Sequence, residues 1–460
     1  MPGPGRRPND TLAYWVTRSG ASHEKVVREV ARVAQEHGRR DIQPDRSRVP
    51  RWIRGEEPRE PVTEYLATAL GRLCNPPVRL APADIGMTGR PSVGPAAGWS
   101  AAAVVAAILD TTRSDAMTDD TTSTTARLLT GPELTAAVQP WLHLPDTELP
   151  TPTRPGRLGM SDVLRIRDTT DAFRRLDNAH GGGLSRRAVV GQLQDITTMV
   201  KQGRASDEVG RELFVAVADL ASVAGWMTHD VGRHAEAQHY LLLGLQAAKA
   251  AGPAGAAIAG HLLNCLARQA NHLRRPTDAL ELVQAGMYGT RKLPADRLRA
   301  VLAILEARCH ATLGDLPAAQ RSIATAEHAL DNDTEPPTWV LWFDRAEYEV
   351  TVGVCELIAA EHDADRARNA ITSIEAGTAL RPAERTRSRA FDQIALARAY
   401  VRSGDLDGAD TATDNALHLF GHVDSTRITD RLRELDAELA AVPGAPLART
   451  TRERIAAATA

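Results

Sequence analysis

We predict an all-α fold, with an N-terminal helical domain followed by an α-superhelix of repeated helix pairs, and two observations support it. Aromatic residues make up only 4% of a chain that is 43% hydrophobic. Its cores must therefore be built mainly from Ala, Leu and Val, which favours close-packed helices over strands. A pattern of small residues also recurs five times in the C-terminal half. We divide the chain into residues 1–85, 86–160, 161–440 and 441–460.

The distribution of charge separates the first part from the rest. Residues 1–90 hold 16 Lys and Arg against 11 Asp and Glu, a balance of +5, and because the whole chain carries −3 the remainder carries −8. A basic segment joined to an acidic body is typical of a nucleic-acid-binding module attached to a second domain.

Four short helices are predicted over residues 9–73, because apolar residues recur there at helical spacing. Ser22 is a suitable N-cap for the second helix, and His37 and Gly38 end it. The apolar stripes are, in chain order, Leu12, Trp15 and Val16; Val26, Val30 and Val33; Val49, Trp52 and Ile53; and Val62, Tyr65, Leu66, Ala69, Leu70 and Leu73.

The third of these helices carries the residues that we assign to DNA binding. Its apolar side chains leave five polar residues on the other faces: Arg46, Ser47, Arg48, Arg51 and Arg54. A helix fits the major groove, where Arg can bind guanine O6 and N7 or a phosphate. Arg48 and Arg51 are the leading candidates for base contacts. The alternative is a helical module that has kept its fold and lost DNA binding.

Pro50 lies inside this third helix and makes its first residue important. If Ser47 is the N-cap, Pro50 stands at the third helical position, where its missing N–H costs little. If Asp45 is the cap, Pro50 deletes an internal hydrogen bond. We favour Ser47.

The same segment resembles a known family. The spacing Trp52-x2-Gly55-x2-Pro58, within "VPRWIRGEEPREPVTEYLATAL", resembles the recognition helix and the following helix of Cro/C1-type (XRE) helix-turn-helix regulators. The closest likeness is to a divergent version found in actinobacterial regulators. The resemblance implies that residues 1–85 bind double-stranded DNA. The link between the second and third helices is longer than the usual turn of about 3–4 residues.

Residues 86–160 are rich in Gly, Pro, Thr and Asp and are predicted to be a linker. Two apolar pieces interrupt it, at residues 101–109 and 134–142. They are either short helices that dock on a neighbouring domain or parts of a hinge.

The acidic body carries the repeated pattern: a small residue, a turn residue seven positions later, and an Ala five positions after that. Successive copies lie 42, 40, 48 and 42 residues apart. The copies are Gly225, Gly232 and Ala237; Ala267, Arg274 and Ala279; Ala307, Gly314 and Ala319; Cys355, His362 and Ala367; and Ala397, Gly404 and Ala409. This pattern resembles the tetratricopeptide repeat, whose period is about 34 residues. The resemblance implies stacked antiparallel helix pairs with a concave face over residues 161–440. Residues 441–460 are expected to be a flexible tail.

The resemblance also indicates which side chains point into the concave groove. Six are assigned to effector binding: Trp226, Asn264, Arg268, Asn271, Arg308 and Arg398. Arg can bind a carboxylate and Asn a peptide backbone, so a peptide or small-molecule effector is expected. The alternative is that these arginines pair with local acids and only keep the groove soluble.

No enzymatic constellation is evident, so we predict no catalytic residue, no metal ligand and no cofactor. "HGGG" at residues 180–183 matches the oxyanion loop of lipase-like hydrolases, but without a G-x-S-x-G elbow a helix–helix turn is favoured. His229, His234 and His239 are five residues apart, a spacing that would scatter them around a helix instead of forming a zinc pair.

The combination of the two parts resembles peptide-responsive regulators of the RRNPP class. It is still more similar to actinobacterial regulators of development and antibiotic production, whose repeat region the phrases "GWMTHDVGRHAEAQHY" and "EARCHATLGD" resemble. The resemblance implies a homodimeric transcription regulator. The alternative is a scaffold or adaptor that does not bind DNA.

A cytoplasmic location without membrane contact is expected. The longest apolar run, at residues 101–109, is too short to span a bilayer, and the start "MPGPGRRPND" lacks the apolar core of a secretory signal. The four cysteines lie far apart with no CxxC spacing, which favours reduced, buried thiols.

Overall fold

The computed structural model divides into two compact units, Met1–Gly94 and Pro95–Ala460, which we call the head and the body. Within the part of the chain that it describes, the secondary structure is helical and contains no extended β-strand, which confirms the all-α prediction. The described residues are 8–36, 39, 42–56, 58, 62–74, 80, 85, 87, 99–117, 127–143, 158–183, 185–332, 336–360, 364–421, 423 and 425–459.

The head contains the four predicted helices. They are α1 (Asp10–Arg18), α2 (His23–Glu36), α3 (Arg48–Ile53) and α4 (Val62–Leu73). The predicted apolar stripes meet in one core, in which Leu12, Val30 and Leu66 are fully buried. Ser22 caps α2 as predicted, because its Oγ accepts from the backbone N–H of Lys25 at 3.3 Å.

Asn9 ties the beginning of α1 to the rest of the head. Its backbone N–H donates to the carbonyl of Ile53 at 2.7 Å, and its side-chain Nδ2 donates to the carbonyl of Ile85 at 3.1 Å. Ile85 and Met87 are themselves buried in the core of the head. The packing of the head therefore continues past residue 85, the boundary expected from the sequence.

The body begins with two helices that the sequence analysis placed in a linker, α5 (Ala101–Met117) and α6 (Pro132–His143). Both pack on later helices, α5 on residues 186–202 and 234–250 and α6 on residues 234–250 and 276–290. The side chain of Gln238 hydrogen-bonds the backbone of Leu129 in both directions, at 2.7 and 3.0 Å. Of the two interpretations, the structure favours helices docked on a neighbouring domain over a hinge.

The remaining helices form the superhelix. They are α7 (Met160–His180), α8 (Arg186–Gln202), α9 (Asp207–Asp230), α10 (His234–Ala250), α11 (Ala256–His272), α12 (Pro276–Thr290), α13 (Asp296–Thr312), α14 (Leu316–Asp331), α15 (Arg345–Ala359), α16 (Ala364–Leu380), α17 (Thr386–Ser403), α18 (Leu406–Phe420), α19 (Thr426–Ala440) and α20 (Pro446–Ala458). Each of the five sequence repeats spans one hairpin, from α9 and α10 to α17 and α18.

The turn residues of the repeats explain why these hairpins close where they do. Gly232, Gly314 and Gly404 have φ values of 82°, 83° and 85°, a left-handed conformation that glycine adopts without strain. Arg274 takes the same place in the second repeat, with φ of 59°. His362, the turn residue of the fourth repeat, lies outside the described residues.

The expectation that residues 441–460 form a flexible tail is wrong. Helix α20 packs on α18 and α19 and buries Ala448, Thr451 and Ile455. These three residues are spaced i, i+3 and i+7, so they form one stripe on the helix.

The superhelix also closes on itself, because two helices near its beginning, α7 and α9, meet two helices near its end, α17 and α19. Arg387 on α17 donates to both carboxylate oxygens of Asp177 on α7, at 2.9 and 2.7 Å. It also donates to Asp230, the last residue of α9, at 3.3 Å, as does Arg427 on α19. We call this cluster of Asp177, Asp230, Arg387 and Arg427 the closure cluster.

The Asp230 carboxylate accepts hydrogen bonds from more groups than the other carboxylate of the closure cluster does. Besides the two arginines, it accepts from the Ser425 hydroxyl at 2.9 Å and from the Gly182 backbone N–H at 3.2 Å. Burial raises the pKa of Asp230, but the charges of Arg387 and Arg427 and these hydrogen bonds outweigh burial and hold the pKa below its ordinary value. The Asp230 carboxylate is thus ionised.

Two further features of the chain are the state of its cysteines and the hydropathy of its helices. All four cysteines, two of which lie on α11 and α13, are buried free thiols. Throughout the described ranges, every helix is too short or too polar to traverse a bilayer.

Candidate functional site

Helix α3 and the residues immediately on either side of it present all five residues that we assigned to DNA binding. Val49 and Trp52 are buried, whereas Arg46, Ser47, Arg48, Arg51 and Arg54 are exposed. The apolar positions of this short helix fix its orientation on the head, so the arginines on its other faces remain accessible. The side chain of Arg48 is 49% exposed although it contacts Glu56 at 3.3 Å, and a pair this exposed is weak.

The beginning of α3 agrees with the favoured position of Pro50. The helix starts at Arg48, so Pro50 is its third residue and Ser47 is the N-cap position. The hydrogen bonding differs in detail, since the Ser47 side chain makes no capping bond. The Asp45 carboxylate accepts the Ser47 backbone N–H at 2.6 Å, and the Asp45 carbonyl accepts that of Arg48 at 2.9 Å.

The link between α2 and α3 is long. Helix α2 ends at Glu36 and α3 begins at Arg48. This departs from the short turn of most helix-turn-helix domains, as the sequence indicated.

The helices of the body line a partly open cavity of about 490 Å³. Five of the six residues assigned to effector binding line it, contributed by α9, α11, α13 and α17: Trp226, Asn264, Arg268, Arg308 and Arg398. The inward positions inferred from the repeat therefore converge on one space. Cavities of this size hold drug-sized molecules.

Asn271 is not among the lining residues, contrary to the expectation. Its side-chain Nδ2 donates to Sγ of Cys309 at 3.2 Å, which directs the amide into the packing between α11 and α13. It lies close to the end of α11, beyond the part of the helix that faces the cavity.

Two of the lining arginines support the interpretation that local acids neutralise the groove. Arg398 donates to Glu438 at 2.6 Å and to Glu434 at 3.1 Å. Arg268 contacts Glu347 at 3.6 Å and stacks on the Trp342 ring at 4.3 Å.

Arg308 differs from both. Its guanidinium has no carboxylate within ion-pair distance among the described residues. Burial and the charges of Arg431 and Arg268 lower the pKa of Arg308 to about 10. It therefore remains a cation whose neighbours include other cations.

A cluster of histidines next to the cavity was missed by the sequence analysis. His229 is the penultimate residue of α9 and His234 is the first of α10, so a turn separates them. Their Nδ1 atoms are 3.0 Å apart, and the His272 ring is 5.2 Å from that of His229. The expectation that they would scatter around a single helix is wrong. Gly232, already identified as a turn residue, was the signal that separates the two helices.

The histidine cluster is neutral and does not form a metal site. Burial and the charges of Arg427 and Arg431 lower the pKa of His272 to about 3. Within the described ranges, no group of His, Cys, Asp or Glu is arranged to hold a metal ion.

The segment "HGGG" at residues 180–183 lies at the end of α7 and forms a turn. Helix α7 ends at His180, Gly181 has φ of 84°, and a Cβ on Gly182 would lie 2.6 Å from the carbonyl oxygen of Met227. The glycines thus let the chain turn closely against α9, as the helix–helix turn interpretation predicts.

Residues 12–88 match the family described as the SP15 N-terminal domain. The match begins inside α1 and ends one residue after the buried Met87. A search of curated proteins found no match. The matched residues are a minority of the chain, and the description names no activity.

Proposed function

We propose that the chain is a DNA-binding transcription regulator whose body binds an effector and mediates dimerisation. The observation that carries the proposal is the exposure of all four arginines on or beside α3, whose Trp52 and Val49 are buried. An exposed row of guanidinium groups on a short, anchored helix has the chemistry that phosphates and guanine edges require. The basic balance of residues 1–90 supports the same assignment.

The body supports the sensing part of the proposal. It encloses a cavity of ligand size between helices that come from both ends of the superhelix. A ligand that binds one arrangement of these helices more tightly than another shifts the balance between them. Such a shift could control development or secondary metabolism through the spacing of two heads in a dimer.

The test of DNA binding uses the full chain. Duplexes are selected from a random pool, and the affinity of the selected sequence is then measured by fluorescence anisotropy at several salt concentrations. Replacing Arg48 and Arg51 together by Ala is expected to weaken binding by about 30-fold or more, because each good base contact contributes about 1–3 kcal/mol. The slope of log affinity against log salt should also become shallower, by about one for each phosphate that the variant no longer neutralises.

Arg28→Ala is the matched control, because Arg28 is an exposed arginine of the head on α2 and not on α3. It should leave affinity within about twofold. Selection that enriches no sequence, or equal binding by the double variant and the parent chain, would favour the scaffold or adaptor interpretation.

A further inference from the structure

The walls of the cavity point to a specific class of ligand, in an inference that rests on the proposed sensing role of the body. Three of the seven tryptophans line the cavity, in a chain with only 4% aromatic residues: Trp226, Trp339 and Trp342. Phe391 lines it as well. Aromatic walls concentrated in this way favour a ligand with a flat apolar body.

The cavity also holds positive charge that the protein does not neutralise. Arg387 and Arg398 have buried or half-buried carboxylates of their own. Arg308 has none within ion-pair distance among the described residues, while Arg431 and Arg268 are close enough to lower its pKa. An anionic group beside Arg308 would relieve this repulsion and receive charge-assisted hydrogen bonds.

Asn264 gives a second and independent sign of a ligand. Its side chain is fully buried and lines the cavity, yet neither Oδ1 nor Nδ2 has a hydrogen-bond partner within the part of the chain that the structure describes. Nε of Arg268, one turn along α11, is likewise buried and without a partner. Buried amides are normally satisfied, so a polar group in the cavity would complete their hydrogen bonding.

Arg427 shows how a planar cation already fits among the aromatic walls. Its guanidinium lies 4.7 Å from the Trp226 ring centroid and 5.0 Å from that of Phe391. The same rings leave their remaining surface to the cavity, where both residues are lining residues.

We propose that the cavity binds a small aromatic carboxylate, whose carboxylate is held by Arg308 and the Asn264 amide and whose ring packs on the tryptophans. The carboxylate provides the negative charge that Arg308 lacks, and its oxygens accept from the Nδ2 of Asn264. The volume of about 490 Å³ admits a molecule of one to three rings.

The experiment is isothermal titration calorimetry on the full chain with three probes: 2-naphthoate, the neutral 2-naphthamide of the same shape, and acetate. We expect 2-naphthoate to bind about tenfold or more tightly than either of the others, because hydrogen bonds to a charged group are the stronger ones. Arg308→Gln should remove this preference, leaving naphthoate and naphthamide with similar affinities.

Arg321→Gln is the matched control, because Arg321 lies exposed on α14 and is not a lining residue. It should bind 2-naphthoate like the parent chain. Far-UV circular dichroism verifies that each variant remains helical, and Asn264→Asp provides a second test, since a carboxylate there should repel naphthoate and spare naphthamide.

Three outcomes would overturn the proposal: no binding of 2-naphthoate at millimolar concentration, equal affinity for naphthoate and naphthamide, or an unchanged preference in Arg308→Gln. DNA binding is measured on the same preparations. A chain that binds its selected duplex and fails these titrations keeps the proposed DNA-binding function and loses only this ligand class.

Discussion

Arg274 has a backbone conformation that glycine adopts at the equivalent turn position of other repeats. It is the one non-glycine residue with positive φ among the described residues, at 59°. A side chain in this left-handed region crowds the adjacent carbonyl, at a cost of about 1–2 kcal/mol. The Arg274 side chain reaches Glu434 on α19 at 3.0 Å, so the arginine links this turn to the far end of the superhelix.

The strain at Arg274 gives a prediction about stability. Arg274→Gly should unfold at higher urea concentration than Arg274→Ala, with a free energy of unfolding larger by about 1 kcal/mol, because neither variant can pair with Glu434 and only glycine relieves the strain. Urea unfolding followed by circular dichroism measures the difference. If alanine is as stable as glycine, residue 274 is not held in the left-handed conformation.

At the scale of the helix, the two helices of a repeat approach each other closely where one of them carries a glycine. The sequence pattern identified Cys355 as the small residue of the fourth repeat, and Cys355 is indeed buried. Helices α15 and α16 nevertheless approach each other closely at Gly353, two residues earlier. A Cβ there would lie 2.6 Å from Cγ1 of Ile374 and 2.9 Å from the carbonyl oxygen of Ala370.

We predict opposite effects for two glycine-to-alanine changes in helices. Gly353→Ala should lower the free energy of unfolding by about 1–3 kcal/mol, because the added methyl group forces the backbones apart. Gly191→Ala on α8, where nothing lies within 4 Å of the new Cβ, should raise it by about 0.5–1 kcal/mol through lower chain entropy. Urea unfolding measures both, and an unchanged or higher free energy of unfolding in Gly353→Ala would show that the close approach there does not limit packing.

The helices were predictable from the sequence because their determinants are local. Stripes at i, i+3 and i+4 indicated the four head helices, and the repeated turns located the hairpins. Helix α20 was missed because its stripe of Ala448, Thr451 and Ile455 contains one strongly apolar residue and becomes evident only where α18 and α19 cover it. The convergence of Trp226, Arg268 and Arg308 on one cavity followed from their equivalent places in the repeats.

At the scale of the whole molecule, closure of the superhelix was not predictable. Arg387 and Asp177 are 210 residues apart, and no local pattern relates them. In an open superhelix each unit contacts only its neighbours, so a change near one end leaves the other unaffected. In this body, the closure cluster joins α7 and α9 to α17 and α19. A substitution that destabilises one end of the superhelix should therefore destabilise the other end as well.

The last prediction tests this long-range coupling. Arg387→Met leaves Asp177 as a buried carboxylate without its bidentate partner and should lower the free energy of unfolding by about 3–5 kcal/mol. Hydrogen exchange measured by mass spectrometry should then increase in α7 and α17, which the pair joins, and remain slow in α12 and α13, which contribute no residue to the closure cluster. Arg381→Met is the matched control, because Arg381 is equally buried but pairs with Asp392 and Glu347, within α15–α17. The control should be destabilised by a similar mechanism while exchange in α7 stays slow. If α7 responds equally to both variants, or to neither, the closure cluster does not couple the two ends of the superhelix.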